Sequence, residues 1–390
     1  MKSHWIRLGT TRGVIPAATC LVALTLVSCA EGPARNSLNL APSTQCNADE
    51  TSLAAAARRE GSVTVIGMDR DWANTGEILK QFTASTGIQV NSLYPLASSA
   101  ESLTVLRTWQ RNVNRPDVAE VSISAAETAQ THKLLSPLTG ATWQSLPARF
   151  KDETGEWSAS FLGVIAFGVN SAAVPNTPNS WQELLKPEFH EAVTLNGDPR
   201  ESGTALATVM AAGMANGGSL DDVSPGVAFF AELSRRGNLN PLPMTHLNVA
   251  YGDVPIALAW NYAIGGLSTS VASASTTLAT EIPADGVIGV PYAQVISRRA
   301  PHPCAARLLI DYLNGKEAAT QRMLVGAVPV AHWDEAAKNP LTADVVKALE
   351  VGGLDTHVPT AEQLMTAQET VDQDWFAAVV SADKAVSDAP

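Results

Sequence analysis

The sequence predicts an α/β fold in more than one lobe, with mostly parallel sheets flanked by helices. Three observations carry that expectation. From Gly61 onward, short β-rich runs alternate with amphipathic helical segments, the pattern of a parallel sheet covered on both faces. The chain has 390 residues and is 45% hydrophobic, enough for packed cores and long enough for two domains or lobes. Gly87, Pro187, Gly217-Gly218 and Gly315 end periodic segments.

In chain order, the first segment stands outside that fold. Lys2, Arg7 and Arg12 lie upstream of an apolar stretch from Val14 to Val27, and no acidic residue precedes Glu31. The stretch is shorter than the roughly 20 apolar residues of a bilayer span. A basic start, a short apolar centre and a small residue at the end read as an export signal over residues 1–28. "LVSC", Leu26 to Cys29, resembles the lipobox of bacterial lipoproteins. That resemblance implies cleavage before Cys29 and a lipid on its sulfur. Ala30 to Asn47 is rich in Ser, Asn, Pro and Ala without periodicity, so residues 29–59 are expected to be a lipid anchor and flexible tether.

The alternation then begins. "SVTVIG" (62–67) is a strand, "NTGEILKQFTASTG" a helix stopped by Gly87, and "IQVNSLY" the next strand. "SAESLTVLRTWQRN" is a helix and "DVAEVSI" a strand. "GVIAFGVNSAAV" (163–174) is a strand leading into a new section, followed by the short helix "SWQELLKPEF". "AVTLNGDPRESGTALATVMAAGMANGG" reads as strand, loop and helix, with Gly217-Gly218 ending the helix and Ser219 placed to cap the next. "VPIALAWNYA" and "GVIGVPYAQVIS" (286–297) are strands. "APHPCAARLLIDYLNG" is a helix that starts on prolines and stops at Gly315, and the remainder is helical with loops near 326–330 and 351–359.

Composition narrows the function. The chain holds 26 Lys and Arg against 38 Asp and Glu, a formal net charge of −12, and three of the basic residues sit in the signal. An acidic surface argues against nucleic acid and anionic membranes as partners. Of four cysteines, Cys20 would leave with the signal and Cys29 would carry lipid. Cys46 and Cys304 remain, a candidate disulfide in an oxidising compartment, with two separate thiols as the other reading.

Four stretches, in order, resemble bacterial extracellular solute-binding proteins of ABC importers, in the group that includes ferric-iron, polyamine and phosphonate binders. They are "DWANTGEILKQFTASTGIQVN", "KDETGEWSASFLGVIAFGVN", "SWQELLKPEF" with "GDPRESGTALA", and "RRAPHPCAARLLIDYLNGKEA". The resemblance covers roughly Gly61 to Asp374. It implies a type II periplasmic-binding-protein clamshell, with lobe 1 over 60–167 plus 289–390 and lobe 2 over 168–288. Two strands would cross near Phe167–Asn170 and Ile288–Pro291. It also implies a monomer on the outer face of the cell membrane that captures a small solute in the interlobe cleft and passes it to permease subunits, without a cofactor.

Loops at the carboxyl ends of the strands are the expected contacts. In "GMDRDWAN", Asp69 and Asp71 put two carboxylates beside Trp72, which suits an amine or other cation, unless Trp72 is core and the rest a solvated turn. In "EVSISAAE", Ser122 and Ser124 close a strand before a helix and offer hydroxyls, or simply cap it. In "DPRESGTALA", Ser202, Gly203 and Thr204 open an apolar helix and favour an anion, with Arg200 adding charge. In "AWNYAIGG", Trp260, Asn261 and Tyr262 follow a buried strand. Ferric-iron binders of the resembled group use adjacent tyrosines near this place, and here Tyr262 is followed by Ala263. Polyamine-binding relatives carry an acidic residue there, and here it is Asn261. The loops ask for both a cation and an anion, so the expected solute is an organic amine, a polyamine or an aminophosphonate; ferric iron, or a ligand-sensing role without transport, are the alternatives. No G-x-S-x-G, H-E-x-x-H, C-x-x-C or P-loop pattern occurs, so neither catalysis nor a resident metal is expected.

Overall fold

The computed structural model describes residue 46 and residues 50–138, 140–271 and 278–381. The expected signal over 1–28 and the lipidation site Cys29 lie outside the described residues. Among the described residues, no helix is long and apolar enough to cross a membrane.

The chain first builds a small parallel unit. β1 (Ser62–Ile66) lies between β2 (Gln89–Leu93) and β3 (Val118–Ser122), parallel to both. The connections are helices Thr75–Thr86 and Ser99–Thr108. The first stops at Gly87, whose φ of 79° lets its N–H return to the Thr83 carbonyl. The second starts on a capping box between Ser98 and Glu101. β4 (Leu135–Ser136) is a short edge strand.

β5 (Trp157–Asn170) then joins two sheets. All of its residues are buried, so its apolar run shows no alternation. The later strands are β6 (Val193–Leu195), β7 (Ile256–Trp260), β8 (Leu278–Glu281), β9 (Gly289–Ser297) and β10 (Val328–Pro329). Trp157–Val164 of β5 pairs with β9, and Phe161 and Leu162 also pair with β10. From Ile165 onward the partners are β7 and β8. The sheet order is β2-β1-β3-β9-β5-β7-β6.

The expectation of mostly parallel sheets is corrected: the sheet is mixed. Parallel pairing joins β1 to β2, β1 to β3 and β6 to β7, whereas the pairings of β5 and β9 are antiparallel. The cause is the second section of chain, which leaves through β5 and returns through β9 in the opposite direction. Helices still cover both faces of the first sheet. Val63, Val65 and Val118 pack with Ile78, Phe82 and Leu309 on one side. Ile66, Ala119 and Val121 pack with Leu106, Ala126 and Ala129 on the other.

Three local expectations also change. Glu50–Glu60 is a helix within the range expected to be a tether. Leu53, Ala56 and Ala57 are buried in the first core, and Leu53 alone contributes roughly 2 kcal/mol on the scale of a buried leucine. Ser219 does not cap a helix; its hydroxyl accepts from the Asp221 N–H, and the next helix begins at Ser224 with proline in its first turn. "SWQELLKPEF" forms two 3-10 turns, Trp181–Leu185 and Pro187–Phe189, because Pro187 cannot continue the first. The last helix, Ala361–Trp375, touches both sections, and its Ala361 joins Ala126 and Ala129 in the core of the first. Its stripe of Leu364, Ala367, Val371 and Trp375 packs with Phe230 and Leu233 of the second section.

Candidate functional site

At the carboxyl end of β3, the register of three strands sets up two rows on one face. Glu120 pairs with Gln294 of β9, which pairs with Ser158 of β5. One step further, Ser122 pairs with Tyr292, which pairs with Phe161. The bulge between Ala159 and Phe161 keeps Ser158 and Phe161 on the same face despite their odd spacing. A polar row thus lies beside an aromatic one.

The second section adds the opposite wall. Trp260 ends β7 and Tyr262 lies in the first turn of helix Asn261–Val271. Trp260 stacks on Tyr262 at 6.3 Å, and Phe161 meets Tyr262 edge-on at 5.4 Å. Gly163 allows this approach, since a Cβ there would come within 2.5 Å of the Tyr262 ring. Trp72 closes the group, edge-on to Tyr292 at 5.4 Å and to Tyr262 at 6.0 Å.

Trp72 is held there by a strained loop. Ala73 and Asn74 have φ of 46° and 59°, left-handed values that cost a non-glycine residue about 1 kcal/mol or more each. Ala73 is fully buried, and the Asn74 amide donates to the Gln321 side chain at 2.8 Å, which fixes the turn. Asp69 accepts from the Asp71 N–H at 3.0 Å, and burial raises its pKa. Asp71 is exposed and lies 4.0 Å from His246 Nε2, across the junction with the second section.

The other expected residues divide. Thr204 is buried, and its side chain and that of Trp260 bear on the Tyr292 hydroxyl. Ser202 caps helix Gly203–Ala215, accepting from the Ala205 N–H and donating to the Asn196 carbonyl, while Gly203 is exposed. Ser122 caps helix Ile123–Thr131 and lies 3.1 Å from the Ser124 hydroxyl. Asn261 spends its amide inside the junction, accepting from the Val164 N–H and donating to the Gly326 carbonyl. Arg200 is paired with Asp198. The structure therefore brings Asp69, Trp72, Thr204, Trp260 and Tyr262 to one place, with Ser122 on its edge. Cys46 and Cys304 are bonded as a disulfide, their Cα atoms 4.8 Å apart.

Sequence reasoning missed Glu120, Phe161, Tyr292, Gln294 and Arg322. Glu120 and Gln294 had a signal, each a polar residue inside an otherwise buried strand. Arg322 had none, because helix Lys316–Met323 reads as a solvated surface helix. Its side chain is fully buried, with its guanidinium 3.9 Å from the centre of the Phe161 ring.

The electrostatics follow from burial. Burial raises the Glu120 carboxyl, with Arg322 and the Gln294 amide acting against it. Burial lowers Arg322 to about 10, so it stays cationic at neutral pH. Tyr292 is pushed up to about 12 and Tyr262 well above 10, both chiefly by burial, so both remain phenols. The place combines an acid, a base, two phenols and an aromatic enclosure.

Comparison with known proteins fits this geometry. Residues 115–347, more than half of the chain, match the model of the family described as bacterial extracellular solute-binding protein. The chain belongs to this family. The solute-binding protein is 28% identical over 138 residues to the spermidine/putrescine-binding periplasmic protein of Salmonella typhimurium, covering 32% of this chain and 37% of that one. It thus spans little more than a third of the length of the curated relatives it matches. The periplasmic binding protein P5PA has a TM-score of 0.62 at 18% identity, over 82% of this chain and 99% of its own. AfuA from Actinobacillus pleuropneumoniae, solved with fructose-6-phosphate, has a TM-score of 0.62 at 15% identity, over 84% and 99%. Iron-bound HitA from Pseudomonas aeruginosa has a TM-score of 0.59 at 16% identity, over 80% and 99%. At such identities these structures show the fold, a type II periplasmic-binding-protein fold, and not the solute.

Proposed function

We propose that this protein captures a small organic amine, a polyamine or an aminophosphonate, at the junction around Trp72, Tyr262 and Tyr292 and hands it to an ABC permease. The observation that carries the reading is the aromatic enclosure at the carboxyl ends of the strands, with carboxylates at Asp69 and Glu120. Aromatic faces with carboxylates nearby suit an ammonium group. The spermidine/putrescine-binding relatives support an amine as one part of the solute. We further propose two lobes, 60–167 with 289–390 and 168–288, that part at β5 and β9 to admit the solute and close over it. The last helix, counted with the first lobe, also packs on the second and would brace the closed arrangement. A lipid on Cys29 would keep the protein at the outer membrane face, as a monomer.

A thermal-shift screen tests this, using polyamines, zwitterionic amines, 2-aminoethylphosphonate, phosphorylated sugars and ferric citrate. A solute that binds only the native state stabilises it with concentration, by about 2.7 kcal/mol at 100 times its Kd, and so raises the midpoint. The expected result is a rise with an amine, and a loss of about tenfold in affinity for Trp72→Ala, on the scale of one cation–aromatic contact. A rise that Trp72→Ala leaves unchanged would take the junction out of the account.

Ferric iron is the second reading. It draws on Tyr262 and Tyr292, two phenols in one cluster although not adjacent in sequence. The buried positive charge of Arg322 opposes a trivalent cation there. A visible phenolate charge-transfer band on adding ferric citrate would favour iron over an amine.

A further inference from the structure

We propose that Arg322 and Glu120 are the two charged ends of the solute site, and that the solute is a small zwitterion. Its anionic oxygens would sit on Arg322 and its ammonium group beside Glu120, within the aromatic walls. This rests on the reading of the junction as the solute site.

Arg322 is fully buried, and its Nε, Nη1 and Nη2 atoms have no hydrogen-bond acceptor. Its guanidinium lies over the face of Phe161, 3.9 Å from the ring centre. Glu120 is buried too and accepts from the Gln294 amide at 2.8 Å. The two charges act on each other, yet no ion pair within bonding distance joins them. A buried guanidinium without acceptors is costly, and a carboxylate or phosphonate is the group that fits its planar fork. The Tyr262 hydroxyl is buried without a partner and lies within electrostatic reach of both Glu120 and Arg322. Opposite charges held apart in one enclosure suit a molecule that carries both. A diamine would satisfy Glu120 and set its second ammonium against Arg322. A plain anion would satisfy Arg322 and meet Glu120 and Asp69.

The alternative is an internal charge pair that serves only the fold. Replacing such a group by an apolar side chain of similar shape is often neutral or stabilising, so the variants separate the two roles. Titration calorimetry at neutral pH would compare 2-aminoethylphosphonate, 4-aminobutyrate and putrescine on the wild-type protein, Arg322→Met, Arg322→Lys and Glu120→Gln. The expected result is binding of the phosphonate or the carboxylate at least about 100-fold tighter than putrescine, and a loss of about 100-fold in Arg322→Met. Arg322→Lys, which keeps the charge and loses the fork, would weaken binding as well and serves if Arg322→Met does not fold. Glu120→Gln would narrow the preference over putrescine. The phosphonate and carboxylate arms identify the anionic group. Zwitterion affinity unchanged in both Arg322 variants would overturn the proposal, as would wild-type protein that binds none of the three. Tight putrescine binding that Trp72→Ala weakens would overturn the zwitterion and leave the solute-binding junction standing.

Discussion

Asp117 shows how a single buried acid ties the first sheet to the helix that follows β9. Its carboxylate accepts from the Thr64 N–H at 2.8 Å and the His302 N–H at 2.7 Å, and lies 2.9 Å from His302 Nδ1. That last hydrogen bond, more than any other influence, raises the His302 pKa above its ordinary value of 6.5. A pKa raised by folding stabilises the protein fully below 6.5, and the gain disappears as pH rises through the raised folded value. Thermal midpoints of wild type and His302→Gln should therefore differ most near pH 5.5 and converge above neutrality. A gap that widens with pH would contradict this. At the same scale, Trp72, Trp260 and Tyr262 could be singled out in the sequence as aromatics that follow apolar strands, and the fold brings them into one cluster. Arg322 was not, since nothing local marks which face of an amphipathic helix will be buried by a distant strand. Asn261 was expected among the solute contacts, and the fold commits its amide to Val164 and Gly326.

Elements were easier to read than their ends. The strand-helix alternation from Ser62 to Ser122 follows from periodicity, and Gly87 and Ser98 mark boundaries because a left-handed cap and a capping box need those residue types. The mixed sheet was not readable, because pairing direction depends on how β5 and β9 pass between sheets. Helix Glu50–Glu60 was missed although its alanine run favours a helix, because it directly follows the aperiodic tether. It docks on helix Pro303–Leu313, which has no side-chain cap of its own. Glu60 supplies one from outside, accepting from the Ala305 N–H at 2.7 Å and the Cys304 N–H at 3.2 Å. The disulfide spans 258 residues of sequence at the same spot. Its removal by Cys46→Ser with Cys304→Ser should cost about 2–5 kcal/mol in denaturant unfolding. Solute affinity should stay unchanged, since neither helix contributes a side chain to the junction. A loss of affinity with full stability would mean that the first helix reaches the site.

At the scale of the whole molecule, two sections of chain meet around one buried aromatic and charged group. Trp72 with Tyr262, and Asp71 with His246, span the junction, as the proposed closure would require. Side chains as buried as Arg322 and Tyr262 admit a solute only when the sections part, and β5 and β9 are the strands on which they would turn. Small-angle X-ray scattering with and without a solute that raises the thermal midpoint tests this most directly. The account predicts a smaller radius of gyration with solute than without, and no contraction in Trp72→Ala at the same solute concentration. A bound solute that leaves the radius unchanged in both proteins would contradict capture by closure at this junction.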